Sequence, residues 1–404
     1  MSWLGLVSAR RAARLGACLV AFVTIAFAGC SPALAPAFDR SLTIDPPPPD
    51  SVEAVVLLVG DAGAATWEES PVLRGLAAEV EFWSERIERD SSVTVAFLGD
   101  NVYPVGVRDR SHSAFATDSA RLMSQVNVLA GPFARDRAAT GFFLAGNHDW
   151  GNTSGPEGVE RLRNQAALLD AANAAGISVG LHPAPGDAGP VVADVREDVR
   201  VMMIDTHWFL QSGRVEDRSR FFVRVEEALE SAGDRHVIML AHHPYSSAGP
   251  HGLLTPGDRG LGIMFLLQRS GALVQDLNSA VYSEFRERLD LAFERSGRPP
   301  LAFVGGHDHS LQVLDGTGDF SPRTSLVSGA GSKLSAVAAT EDLRFSAPLP
   351  GYMSLIFRRN GAVDLFVTTV ASSDGSPATP QVVYSERLVS PPDSPASTVR
   401  GTGG

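Results

Sequence analysis

Five times along this chain a short apolar run stops at a small cluster of Asp, Asn, Tyr or His. Leu58-Val59 leads into Gly60-Asp61-Ala62-Gly63, and Phe97-Leu98 into Gly99-Asp100-Asn101-Val102-Tyr103. Phe143-Leu144 leads towards Gly146-Asn147-His148-Asp149, Met239-Leu240 into Ala241-His242-His243-Pro244, and Phe303-Val304 into Gly306-His307-Asp308-His309. An apolar run without polar alternation is the pattern of a strand buried on both faces. Segments with helical spacing separate these runs, and strand alternating with helix builds a largely parallel sheet covered by helices. Ligands of such sheets gather beyond the carboxyl ends of the strands. The order of elements therefore predicts an α/β fold in which five loops meet at one edge.

In detail, apolar runs predict strands at residues 52–59, 93–98, 141–144, 191–194, 199–205, 236–240, 301–304, 325–328 and 353–358. Helical spacing marks residues 70–89, 113–129, 157–175, 218–231 and 279–294. Arg359-Asn360-Gly361 then makes a turn into a strand at 363–370, a hairpin signature. No internal repeat is visible.

A hydrophobic fraction of 44% over 404 residues supplies a sizeable core. The net charge of −12 argues against non-specific nucleic-acid binding, which needs a basic surface to displace counterions. It leaves anionic substrates open, because bound cations supply positive charge that a formal count omits.

The first 29 residues read as a signal peptide: Arg10, Arg11 and Arg14 precede an apolar run from Leu15 to Ala28, too short to span a membrane. Phe27-Ala28-Gly29-Cys30 resembles a bacterial lipobox, which would leave a lipid on Cys30. A plain secretory signal cleaved near Ala33-Leu34-Ala35 is the alternative, and Arg10-Arg11 hints at a twin-arginine signal. Cys18 would leave with the signal, so the two cysteines leave the mature chain without a thiol. Residues 30–51 form a Pro/Ala-rich linker, 52–371 the main domain, and 372–404 a Ser/Pro/Gly-rich tail in which Gln381-Val382-Val383-Tyr384 can add a short strand. The chain is expected to be exported and lipid-anchored to the cell envelope, or else secreted or periplasmic. It is also expected to be monomeric and to bind no nucleic acid.

Singly, each cluster is a weak signal, since Asp or Asn after a strand usually caps a helix or forms a turn. Jointly they offer hard oxygen and imidazole donors enough for two metal ions, and a metal pair bridged by a carboxylate is a device for cleaving phosphate esters.

The ordered set resembles the calcineurin-like metallophosphoesterases, and within them the purple acid phosphatases. Most of that superfamily begins with Asp-x-His, whereas Gly63 stands at the third position here. Purple acid phosphatases replace that histidine with a tyrosine three residues after the second aspartate, where this chain has Tyr103. Gly306-His307-Asp308-His309-Ser310-Leu311-Gln312, Ser328-Gly329-Ala330-Gly331 and the Gly151-Asn152 after Asp149 are similar to the small tartrate-resistant acid phosphatases. The likeness runs from about Val55 to Val370 and leaves residues 251–278 without an account.

The resemblance implies a four-layer α/β/β/α sandwich with a dimetal site at the carboxyl ends of its strands. It implies Asp61, Tyr103 and His309 as ligands of one ion and Asn147, His242 and His307 as ligands of the other, with Asp100 bridging. The phenolate-bearing site suits Fe(III); the imidazole and amide site suits divalent Fe, Zn or Mn. The implied reaction is hydrolysis of phosphate monoesters by a metal-bound hydroxide, with His148 as proton donor. Asp149 either orients the His148 ring or caps a helix. Phosphodiesterase or nucleotidase activity on the same core is an alternative, as is a catalytically silent surface phosphate-binding protein. His243 would lie behind the ligands, and Asp308 would be a solvent-facing spacer or a support. For Trp67, Trp150 and Trp208 core packing is the simpler reading. His112, His236 and His251 have no partner visible in sequence, His182 reads as a loop residue, and His207, after the end of a strand, packs or points to solvent.

Overall fold

The computed structural model describes residues 40–134, 139–153, 155–211, 215–253, 277–371 and 378–392. The leader, most of the linker, residues 254–276 and the end of the tail from 393 lie outside the described residues. In chain order the strands are β1 (Ser41–Leu42), β2 (Val52–Val59), β3 (Ser92–Phe97), β4 (Thr140–Phe143), β5 (Val179–Leu181), β6 (Val191–Arg196), β7 (Val199–Met203) and β8 (His236–Leu240). They continue as β9 (Ala302–Gly305), β10 (Leu311–Asp315), β11 (Thr324–Ser328), β12 (Leu343–Ala347), β13 (Gly351–Arg358), β14 (Val363–Ala371) and β15 (Thr379–Val389). One sheet has the order β1-β15-β14-β13-β2-β3-β4-β5, and the other β12-β10-β11-β9-β8-β7-β6.

The period of two along each buried strand assigns the layers. In β2, Ala54, Val56 and Leu58 pack with Val199, Val201, Ile238, Leu240 and Val304 of the second sheet. The alternate residues Val55, Leu57 and Val59 pack with Leu73, Leu76, Val80 and Leu162, on helices outside the first sheet. In the second sheet Met202, Met239 and Phe303 face Phe221, Phe285 and Leu289 of its own outer helices. Two sheets stacked face to face, each covered by helices, make the four-layer sandwich, and both faces of the central strands are buried. That is why these strands read as continuous apolar runs.

Strands β2, β3, β4 and β5 are parallel neighbours, as are β7, β8, β9 and β11. Their carboxyl ends therefore face one edge in each sheet. The helices start as their sequences dictate: Ser70 accepts from the Leu73 N–H with Pro71 in the first turn, Ser279 accepts from the Tyr282 N–H, and Gly297 closes its helix in the left-handed conformation.

The main departures from the sequence reading lie in sheet edges. The strand expected at 381–384 is the eleven-residue β15, paired with β14 along all of that strand's length. The first sheet thus runs past 371, because Val382, Val383 and Tyr384 bury against it. At the other end Ser41–Leu42, expected in the linker, pairs in parallel with Tyr384 and Ser385. Strands β5, β10 and β12 are short pieces that periodicity did not single out. Among the described residues no helix is long and apolar enough to cross a membrane.

Candidate metal centre

Backbone conformation marks the site before any side chain is considered. Asp61, Asp100 and His307 are non-glycine residues with φ of 58°, 54° and 65°, in the left-handed region that L-residues occupy at a cost. Each directly follows a glycine. The Gly60 N–H donates to the Ser328 carbonyl, Asp61 N–H to Gly99, and Gly306 N–H to His242, so these turns are fastened to one another.

These turns, with the loops at Asn147 and His242, bring seven side chains together. The Tyr103 hydroxyl donates to Asp61 Oδ1 at 3.0 Å and lies 3.4 Å from His309 Nε2. His309 Nε2 is 3.6 Å from the same Asp61 oxygen. On the other side His242 Nε2 lies 2.9 Å from Asn147 Oδ1, 3.2 Å from His307 Nδ1 and 3.4 Å from Asp100 Oδ1. Ligand atoms of Asp61, Asp100 and His242, one from each, all lie within 4.8 Å of one another. Both groupings expected from sequence are therefore drawn together, with Asp100 alongside His242 and Asp61 alongside Tyr103.

Neighbouring groups fix the donor atoms. His242 Nδ1 bonds the Leu98 carbonyl, so Nδ1 carries the proton and Nε2 presents its lone pair to the cluster. Asn147 donates its amide N–H to Asn152 Oδ1 at 2.7 Å, which turns its oxygen towards His242. Asn152 itself sits at φ 55°. Gly146 runs so close to Asp100 that a Cβ there would strike its carboxylate, and a Cβ at Gly63 would strike the Asn101 backbone. The chain therefore has no room for a histidine at position 63.

Electrostatics give the cluster its character. Burial, followed by the Asp100 charge, pushes the Asp61 carboxyl well up. Burial also raises Asp100, but the fields of His242 and His148 outweigh it and leave Asp100 lowered. Burial and the Asp61 charge push the Tyr103 phenol up, and burial brings His309 down to about 4. Buried oxygens and unprotonated imidazoles facing one another are unfavourable alone and favourable around cations. The donor chemistry fits metal ions, with hard oxygens at Asp61 and Tyr103 and a nitrogen-rich set at His242 and His307.

His148 stands at the mouth. Its Nδ1 lies 2.6 Å from the Pro104 carbonyl and so donates to it, and its Nε2 faces Asp100 Oδ2 at 3.9 Å. Its backbone N–H donates to Asp100 Oδ1 at 2.9 Å. The orienting contact expected from Asp149 comes instead from Pro104. Asp149 is buried and accepts from the N–H groups of Gly146, Asn101 and Val102 and from the Asn101 amide. It clasps two ligand loops together. Burial, with the Asp100 charge added, moves its carboxyl up to about 8 against the pull of those donors.

Several other residues find their places. His243 turns away to Thr206 Oγ1 at 2.8 Å and packs on His307. Asp308 is buried, not solvent-facing, and accepts from Ser247 Oγ and the His251 N–H. That pins the segment at 247–251 over the site and lays the His251 ring on His307, centroids 4.0 Å apart. No spacing in the sequence announced His251, because it arrives through Asp308, 57 residues away. Trp150 is buried and donates to Asp205, while His207 Nε2 bonds the Thr153 carbonyl, and both support the Asn147 loop from behind. Trp67 and Trp208 pack against the core. His112, His182 and His236 make their contacts elsewhere.

No family model matches this sequence, and no curated protein does. Solved structures do match. GAP50, described as the anchor in the inner membrane complex of Plasmodium, aligns with a TM-score of 0.52 at 15% identity, over 83% of this chain and 89% of that one. Purple acid phosphatase PPD1 from yellow lupin (Lupinus luteus) seeds aligns with a TM-score of 0.52 at 17% identity, over 85% of this chain. This chain spans 55% of the length of that lupin protein. PhoD aligns with a TM-score of 0.50 at 12% identity, over 85% of this chain and 71% of that one. The fold is that of the calcineurin-like metallophosphoesterases.

Proposed function

We propose that the protein is a metal-dependent phosphoric ester hydrolase of the purple acid phosphatase type, acting on phosphate monoesters. The observation that carries this reading is the meeting of Asp61, Tyr103 and His309 beside Asp100, with Asn147, His242 and His307 on its other side. The fold alone does not carry it, since the Plasmodium neighbour is described as an anchor. A binding protein that had shed catalysis has no need of a complete donor set.

Asp61, Tyr103 and His309 would hold an Fe(III) ion, and Asn147, His242 and His307 a divalent Fe, Zn or Mn ion, with Asp100 shared. Such a pair supplies Lewis acidity, which activates water and neutralises charge on the phosphoryl oxygens. The chain's own residues do the rest. His148, fixed at Nδ1 by Pro104, offers a proton at Nε2 to the departing alkoxide. Asp149 holds the Asn101 and Gly146 loops at a constant separation. His251, seated on His307, closes one wall of the mouth. Rates of hydrolysis of p-nitrophenyl phosphate and of bis(p-nitrophenyl) phosphate test the reading. A faster monoester supports it, a faster diester favours the phosphodiesterase alternative, and hydrolysis of neither by metal-loaded protein that still binds phosphate would sink it.

Export and anchoring through a lipid on Cys30 belong to the same proposal, motivated by the arginine-rich apolar leader and the run Phe27-Ala28-Gly29-Cys30. Cys30→Ser should release the protein from membranes; continued membrane association would defeat that claim.

A further inference from the structure

The chain has 34 basic side chains of the lysine and arginine type, and Lys333 is the one lysine among them. It sits at the metal centre, with its Nζ 3.3 Å from the centroid of the Tyr103 ring. The loop that carries it is fastened to two ligand loops. Gly331 N–H donates to the Gly60 carbonyl, Ser332 Oγ bonds the Asp61 carbonyl and accepts from Ala64 N–H, and Ser335 N–H donates to the His309 carbonyl. An ammonium is attracted to an aromatic face, and this one also lies in the fields of Asp61 and Asp100. It has three N–H donors, yet makes no hydrogen bond or ion pair among the described residues. Many of the described arginines are paired, as Arg108 is with Asp118 and Arg200 with Asp194. A compact, rotatable ammonium meets a single oxygen where a planar guanidinium demands a matched pair. The His148 ring also rests on Tyr103, centroids 4.4 Å apart, so that phenol has both side chains as neighbours.

We propose that Lys333 is a specificity-determining residue: its ammonium takes a non-bridging oxygen of a doubly charged phosphate and so favours a phosphomonoester over a phosphodiester. A monoester dianion carries two charges over three terminal oxygens, whereas a diester carries one over two. The oxygen that a diester spends on its second ester link is the one that an added cation can recognise. This inference rests on the hydrolase reading for its catalytic arm and on anion binding alone for the other.

Because the chain has one lysine, protein labelled with 13C at lysine Cε gives one ε-methylene NMR signal. Inorganic phosphate is titrated into the full chain as isolated, with calorimetry in parallel on wild type, Lys333→Met and Lys333→Arg and metal content measured for each. The signal should move and saturate with the calorimetric Kd. Lys333→Met should bind phosphate about tenfold to a hundredfold more weakly per metal-loaded site, the usual scale for a charge-assisted hydrogen bond, and Lys333→Arg should recover part of it. The same Met variant should lose about tenfold or more in kcat/KM on p-nitrophenyl phosphate and distinctly less on the bis-ester. A signal indifferent to phosphate would overturn the proposal. So would unchanged phosphate affinity in Lys333→Met, or altered metal content with normal phosphate affinity, which would make Lys333 a counter-charge for Asp61 and Asp100. Equal losses on both esters would refute the specificity role. If wild type hydrolyses neither ester, the hydrolase reading fails, while the phosphate titration still decides the anion contact.

Discussion

The hydroxyl of Tyr103 donates to Asp61 Oδ1 across 3.0 Å, joining the second polar cluster to the first. The phenol is buried, and its hydroxyl also lies 3.4 Å from His309 Nε2. If the pocket holds Fe(III), the phenolate gives a visible charge-transfer band. Tyr103→Phe should abolish that colour; a spectrum that survives the substitution would remove Tyr103 from the proposed ligand set.

His148 touches Asp100 through its backbone and leaves its Nε2 at the mouth. His148→Ala should keep the metal content and slow turnover by about two to four decades, the scale of general acid catalysis. Unchanged turnover on a poor leaving group, where protonation matters most, would take that role away.

Asp149 has a structural signature distinct from that of its neighbour. Asp149→Ala would strand the buried N–H groups of Gly146, Asn101 and Val102, each costing about 1–3 kcal/mol without an acceptor. A lower Tm and weaker metal retention should appear together. A variant with wild-type Tm and reduced kcat would show that Asp149 serves the chemistry directly.

Asp205 makes the stability of the fold depend on pH. Burial moves its carboxyl from an ordinary 3.8 up to about 7, although Trp150 and Trp208 donate to it. Below the unfolded value both states are protonated and nothing is lost. As pH rises from about 4 to 7 the unfolded chain ionises while the folded one resists, so stability should fall, by an amount on the order of 4 kcal/mol, and level off above. Asp205→Asn should flatten that slope in urea titrations taken at several pH values; an unaltered slope would locate the dependence elsewhere.

The sandwich was legible because its inner strands are apolar on both faces. Val52–Val59, His236–Leu240 and Ala302–Gly305 sit where continuous Val, Ile, Leu and Phe runs place them. The donors were legible for the same reason, as polar residues that follow such a run lie at a strand end. Sheet edges were not: β15 is a mixed polar strand whose partners exist only once β14 is in place. Nor was the duty of Asp149, since three of the four N–H groups it accepts belong to Asn101 and Val102, nearly fifty positions earlier. Contacts made by long return of the chain, such as Asp308 to His251 or Lys333 to Tyr103, leave no periodic trace. Lys333 left one of another kind, a singular residue type.

The left-handed turns at Asp61, Asp100 and His307 bear on how ions would arrive. Hydrogen bonds between the loops, such as Asp61 N–H to Gly99 and Gly306 N–H to His242, hold those turns, so the donors are ordered during folding and the chelate is preorganised. Ion capture then releases water and protons without recruiting new secondary structure. The heat-capacity change on loading the centre should accordingly be small, unlike that of a finger domain that condenses around its zinc.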